Sequence, residues 1–319
     1  MKYAFDPQFQ DFVATMPSVD FSRLDEARAF FAQMTESIKA AVDASDVDIV
    51  EHFVPGSPGA PQVRVLVYTP RSKKSITPAL LHIHSGGFVL GSVEMIHGES
   101  VRLATALGIT VVAVAYRLAP EHPFPAAIED CYSALSWMAQ ESTALRIDPA
   151  RIGVLGQSAG GGLSAALALL SRDRPGAKLC FQYLGIPELD DRLQTPSMAQ
   201  FVDTPFWDRP SAEWSWKYYL GDIKPGSENV SPYAAPARMA DLSGLPPAYL
   251  SAQQFDPLRD EGILYALRML QAGVNVELHS FPGTFHGSLV MPNAEVSQRE
   301  MAEMVAVLKR GLWADMPER

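Results

Sequence analysis

The sequence is short of several things, and each shortage removes a class of protein. Its 319 residues include two cysteines, Cys131 and Cys180, with no CxxC and no Cys/His pair at zinc spacing. Neither a disulfide framework nor a metal site is expected, and the two thiols read as small buried apolar groups. Basic residues are outnumbered, with Lys+Arg 26 against Asp+Glu 36, and they form no cluster. A formal net charge of -10 argues against nucleic acid or an anionic membrane surface as a partner. No apolar run reaches the ~18 residues that a membrane span needs. Residues 1–16 have no signal-peptide core, so the expected compartment is the cytoplasm. Internal repeats and low-complexity linkers are absent as well. What remains, 47% apolar and 19% charged residues, is ordinary globular composition with ample length for a large core.

What is present is alternation. Residues 1–44 carry helically spaced apolar positions, among them Phe9, Phe12, Phe21, Leu24, Phe31 and Ile38, and Ser22 with Asp25 reads as a helix-start box. Val47–Val54 and 62–68 alternate as half-buried strands around a Pro/Gly loop. Dense apolar runs at 79–84, 110–116, 152–155, 178–184, 248–252 and 274–281 suit strands covered on both faces. Amphipathic stretches near 96–107, 126–142, 159–173, 259–272 and 297–312 suit helices between them. Ser297 with Glu300 is a second start box, and Gly273 stands where a helix-ending glycine is expected. The pattern predicts an α/β protein with a mostly parallel, eight-stranded sheet flanked by helices, its first pair antiparallel. Residues 186–246 are too long for one crossover and are rich in aromatics. They predict a helical cap insertion at about 190–225, lying with residues 1–44 over a body formed by residues 45–319.

The chemistry-bearing signal is Gly156-Gln157-Ser158-Ala159-Gly160, placed after the 152–155 run and before the 159–173 helix. That is the context of a nucleophile elbow, where a sharp strand-to-helix turn lifts a serine hydroxyl above the sheet. The hydroxyl needs a base, and the base an orienting carboxylate, in the chain order Ser, Asp/Glu, His. Two histidines follow Ser158: His279 inside a strand run, and His286 just beyond it, where a base belongs. Asp256 and Asp260 follow the 248–252 run. Pro257 holds Asp256 in the loop, whereas Asp260 and Glu261 fall in a first helical turn, where acids complement the helix dipole. The backbone N–H groups of Gly86 and Gly87, with Ala159 after the serine, are candidate donors to an oxyanion. His84 reads as a loop anchor. Candidate substrate-binding residues are Phe88, Phe201, Phe206, Trp207 and Leu289.

Together these residues resemble the hormone-sensitive-lipase-like family of esterases within the α/β-hydrolase superfamily. The likeness covers residues 45–312 and rests on His84–Phe88, Tyr116–Glu121, Gly156–Gly161, Asp256–Asp260 and His286-Gly287. The resemblance implies an α/β-hydrolase fold with a helical cap. It also implies a cofactor-free serine carboxylesterase acting through Ser158, His286 and Asp256, and small, short-chain acyl esters as substrates. Pro187–Asp191, Phe201–Pro205 and Gln157 narrow the likeness to a branch that suggests aryl acetyl esters. The same triad also serves amidases, aryl-formamidases, deacetylases and lipases. Receptors that share the fold lack the histidine, which is present here. Family members often dimerise through the last sheet-edge strand, so 274–281 is an expected homodimer edge. Ser85 departs from the family's first glycine, with strain expected if its backbone is left-handed. Gln157 replaces a common acid, and Ser288 follows His-Gly where relatives often have Phe. Arg117 and Glu121 are read as a pair within a structural turn.

Overall fold

The computed structural model describes residues 2–16, 19–39, 41–73 and 75–314. The outer ends expected for the two regions, Met1 and 315–319, lie outside the described residues, as do Pro17, Ser18, Ala40 and Lys74. In chain order the helices are α1 Gln10–Thr15, α2 Leu24–Lys39, α3 His97–Leu107, α4 Ala126–Gln140, α5 Ser142–Leu145 and α6 Ala159–Asp173, then α7 Pro196–Gln200, α8 Arg209–Leu220, α9 Arg259–Gln271 and α10 Glu295–Trp313. The strands are β1 Val47–Val54, β2 Val63–Pro70, β3 Thr77–Ile83, β4 Thr110–Ala115, β5 Ile147–Gln157, β6 Phe181–Gly185, β7 Ala248–Phe255 and β8 Val276–Phe285.

All eight strands form one sheet in the order β1-β2-β4-β3-β5-β6-β7-β8. β1 and β2 pair antiparallel, β2 meets β4 antiparallel, and every later neighbour is parallel. Parallel strands need crossovers, and the crossover helices cover both faces. On one face α4, α6 and α9 pack through residues such as Leu135, Leu163, Leu167 and Met269. On the other, α3 and α10 pack through Leu103, Ala104, Met304 and Leu308 against Leu80, Val111 and Tyr183. The inner strands β3, β4 and β6 are buried almost throughout, which is why their sequences read as continuous apolar runs.

Helix ends correct some sequence expectations. α2 begins at Leu24, directly after Arg23, and the Asp20 carboxylate accepts from Ser22 N at 2.8 Å. Ser22 and Asp25 therefore form no start box. α10 begins at Glu295, so Ser297 and Glu300 lie inside it; Ser297 Oγ donates to Ser288 O, and Glu300 is buried against Gln253. Gly273 does close α9, with φ 81° and Val274 N donating to Met269 O. The 186–246 excursion contains α7 and α8, and its first residues are tied to the body. Leu189 N donates to the buried carboxyl group of Glu261 in α9 at 2.6 Å, while within the excursion Asp191 accepts from Arg238 and from Gly226 N. Glu261 is thus an internal anchor rather than a surface partner of the helix dipole.

Candidate active site

The site is assembled at the carboxyl edge of the sheet, where a doubly wound topology gathers its loops. β5 runs straight into α6 through Ser158, whose backbone takes φ 55° and ψ -123°. A non-glycine residue there is strained, and the strain is held by tight surroundings. Ser158 N donates to Gly185 O at 2.8 Å, and Glu188 N donates back to Ser158 O at 3.1 Å. The neighbouring glycines are sterically required. A methyl group on Gly156 would lie 2.1 Å from Gly160 O, on Gly160 2.3 Å from Ile83 O, and on Gly162 2.1 Å from Glu188 O.

The three side chains singled out in the sequence lie in one hydrogen-bonded line. His286 Nε2 is 2.8 Å from Ser158 Oγ, and His286 Nδ1 is 2.7 Å from Asp256 Oδ2. Asp256 is fully buried, and its other oxygen accepts from Leu258 N at 2.8 Å, so the carboxylate has one orientation. His286 follows β8, and Asp256 follows β7; the ladder between those strands reaches Phe255↔Phe285, one residue short of both. Ser158 is 4% exposed and His286 6%. The indole of Trp207 stacks on His286 with centroids 5.7 Å apart. An imidazole held between a hydroxyl and a buried carboxylate can take the hydroxyl proton while the carboxylate steadies the resulting cation.

The other candidates are placed as follows. Asp260 pairs with Arg259 and accepts from Ser197 N. His279 pairs with Glu303 at 2.8 Å and stacks on Phe281, on the sheet and away from Ser158. His84 is buried, bonded to Ser85 O at 2.7 Å and stacked on Tyr116, and burial lowers its pKa to about 4. Gly86 and Gly87 take φ 119° and 56°, and Phe88 takes φ 62°. Ser85 is not left-handed, so the strain sits at Phe88 instead. Among the described residues, the N–H groups of Gly86, Gly87 and Ala159 have no acceptor, which leaves them free for a ligand oxygen. A side chain on Gly86 would meet Leu90 O at 2.1 Å, and on Gly87 the ring of Trp207 at 2.6 Å.

Of the expected substrate-binding aromatics, Trp207 covers the histidine, and half-buried Phe206 stacks on Phe285 and Phe12. Leu289, half-buried, packs against the α3/α10 cluster. Phe88 and Phe201 are 1% exposed. Phe88 stacks on Tyr219 at 4.0 Å, and Phe201 packs among Tyr3, Phe255 and Arg259, so both belong to packed interior. Two open hollows, one of about 410 Å³ between α2 and Leu90–Met95 and one of about 300 Å³ beside Pro55–Pro58, lie elsewhere, and no residue of the Ser158 line borders them. Arg117 and Glu121 are not paired with each other. Arg117 bonds buried Asp130, and Glu121 is gripped by Arg28 of α2 at 2.6 and 2.8 Å.

Sequence reasoning missed two residues beside the site. Glu188 is fully buried, and burial raises its carboxyl to about 8. Ser215 of α8 lies 2.9 Å from Gly87 O and 3.0 Å from Glu188 Oε1. Among the described residues, no group of three or more His, Cys, Asp or Glu is arranged to hold a metal, and no helix is long and apolar enough to cross a membrane.

A family model for the alpha/beta hydrolase fold matches residues 80–290. The chain belongs to this family, in its hormone-sensitive-lipase-like branch. Carboxylesterase NlhH of Mycobacterium tuberculosis is 36% identical over 316 residues, covering 97% of each chain. The arylesterase of Saccharolobus solfataricus is 33% identical, covering 79% of this chain and 80% of that one. Among solved structures, bacterial heroin esterase superposes with a TM-score of 0.96 at 49% identity, covering 98% of this chain and 99% of its own. The activity of this chain is therefore carboxylic ester hydrolysis.

Proposed function

We propose that Ser158 is the nucleophile, His286 the general base and acid, and Asp256 the residue that orients the imidazole and stabilises its cation. The observation that carries this reading is the continuous line Ser158–His286–Asp256, with contacts of 2.8 and 2.7 Å. Ser158 attacks the ester carbonyl as His286 takes its proton. The tetrahedral oxygen is held by the N–H groups of Gly86, Gly87 and Ala159. His286 then protonates the leaving alcohol. Water, deprotonated by the same histidine, releases the acid and restores the serine.

The substrates in this reading are small, short-chain acyl esters, including aryl acetyl esters. Support comes from the enclosure of the serine, from Trp207 over the histidine, and from the similarity to proteins named arylesterase and bacterial heroin esterase. Residues 1–44 and about 190–225 act as the cap, a role supported by Phe12 on Phe206 and by Phe21 edge-on to Trp207. A cytoplasmic setting and a homodimer through the β8 edge belong to the same reading. Two free buried thiols fit a reducing compartment, and exposed Leu278 on β8, with exposed Leu264, Leu267 and Leu270 on α9, which packs against β8, offers apolar surface at that edge. A series of p-nitrophenyl esters tests the substrate class. kcat/KM is expected to peak at two to four acyl carbons and to fall by about 10³-fold by eight, on the scale of ~1 kcal/mol for each of the four further methylenes that do not fit. A maximum at long chains would replace this reading with that of a lipase.

A further inference from the structure

Glu188 and Ser215 bridge the two halves of the proposed acyl-transfer site. Glu188 N donates to Ser158 O at 3.1 Å, fixing the nucleophile's turn. Its side chain runs the other way, toward the loop that carries Gly86 and Gly87. Ser215 Oγ sits between, 3.0 Å from Glu188 Oε1 and 2.9 Å from Gly87 O. A hydroxyl has one hydrogen. An ionised carboxylate and a carbonyl both only accept, so a charged Glu188 would compete with Gly87 for that single hydrogen. A protonated Glu188 removes the conflict: its O–H donates to Ser215 Oγ, and Ser215 O–H donates to Gly87 O. The surroundings favour the neutral acid. Glu188 is fully buried, and its second oxygen has no partner among the described residues. The titratable groups facing it are Asp256 from the loop after β7, Glu261 of α9, Tyr219 of α8 and Tyr116 at the end of β4. None of them brings a positive charge; Asp256 is held by His286.

We propose that Glu188 acts as a neutral carboxylic acid which, through Ser215, holds the Gly87–Phe88 peptide plane, one Cα beyond the Gly87 N–H, and so keeps the loop in the conformation that aims the oxyanion donors. The proposal rests on the Ser158 mechanism above. On either side of Gly87 the loop is held by backbone bonds, Gly86 O accepting from Val89 N and Leu90 N and Phe88 O from Ala119 N, while Gly87 O itself is held by Ser215. Glu188 is a positioning residue: it acts on the reacting oxygen through Ser215 and the loop. Ionisation of Glu188 draws the Ser215 hydrogen to the carboxylate, because charge-assisted hydrogen bonds are the stronger ones. Gly87 O is then released, and the donors lose their aim.

The test is the pH dependence of kcat for p-nitrophenyl acetate in the wild type, Glu188→Gln and Ser215→Ala, each checked for folding by its thermal melt. The burial-raised carboxyl, at about 8, sets where the wild-type kcat falls on the alkaline side. Glu188→Gln cannot ionise but still donates to Ser215, so it is expected to keep kcat within about threefold at pH 7 and to lose that alkaline fall. Ser215→Ala is expected to lower kcat by about tenfold or more with KM little changed, as for a misaimed oxyanion hole. An identical alkaline fall in wild type and Glu188→Gln, or a wild-type kcat in folded Ser215→Ala, overturns the proposal. Fluorophosphonate labelling of Ser158 separates the two claims. If all variants label and turn over as wild type does, the positioning role fails while the esterase mechanism stands.

Discussion

At the scale of single residues, the site depends on atoms that are not there. The elbow works because Gly156, Gly160 and Gly162 leave room for carbonyl oxygens about 2 Å from where a methyl carbon would sit. Gly162→Ala is therefore expected to destabilise the protein by about 2 kcal/mol or more, the usual cost of overpacking, and to lower Tm by several degrees. A Gly162→Ala protein with an unchanged melt would show that the α6–Glu188 approach is looser than described. The residue types of the proposed triad were legible in the sequence because the chemistry demands a serine on an elbow and a histidine and acid after later strands. Glu188 and Ser215 were not legible. They meet across 27 positions, and Ser215 meets Gly87 across 128, so no local spacing announces them. Arg117 and Glu121 failed as a pair for the same reason. Their partners, Asp130 and Arg28, lie 13 and 93 positions away.

At the scale of elements, strand centres were legible and strand ends were not. Apolar runs mark where a strand is covered on both faces, but a ladder continues wherever a neighbour supplies hydrogen bonds. β5 extends from the expected 152–155 to Ile147–Gln157, and β8 runs through Pro282 and Gly283 to Phe285, just short of His286. The second start box failed because Ser297 and Glu300 were claimed by tertiary contacts. Glu300 is 1% exposed, and burial raises it to about 7, with Glu303 and Glu99 adding to the effect. Its folded pKa thus lies above the ordinary value of 4.5, so the neutral form favours the fold. That contribution is complete below pH 4.5 and is lost as pH rises through about 7. Thermal melts from pH 5 to 8 should show wild type losing stability relative to Glu300→Gln by on the order of 2 kcal/mol. Parallel curves for the two proteins would contradict this account of α10.

At the scale of the molecule, the doubly wound sheet carries three distant segments to one edge, where Trp207 from the segment ahead of α8 stacks on His286. The fold class was legible because strand and helix periodicities alternate from Val47 to the end of α10. The geometry of the proposed cap was not, because aromatic content says that a segment packs without saying against what. Phe201 illustrates this: it faces Tyr3 and Phe255 in a cluster spanning the N-terminal segment, the insertion and β7. The N-terminal segment is further tied down by Tyr3 and Lys2 on Asp203 and by Arg28 on Glu121. The β8 edge with its exposed leucines is the proposed homodimer surface. Light scattering should return twice the chain mass, and Leu278→Arg should shift it toward the monomer; a monomeric wild type would dismiss the interface.

The central claim is that one hydroxyl, Ser158, is made nucleophilic by His286 and Asp256. Reaction with a fluorophosphonate, followed by mass analysis and by turnover of p-nitrophenyl acetate in Ser158→Ala, tests it most directly. A single adduct on Ser158 and a loss of about 10⁴-fold or more in kcat for the variant are the expected results. An adduct on another residue, or a folded Ser158→Ala protein that hydrolyses the ester at the wild-type rate, would contradict it.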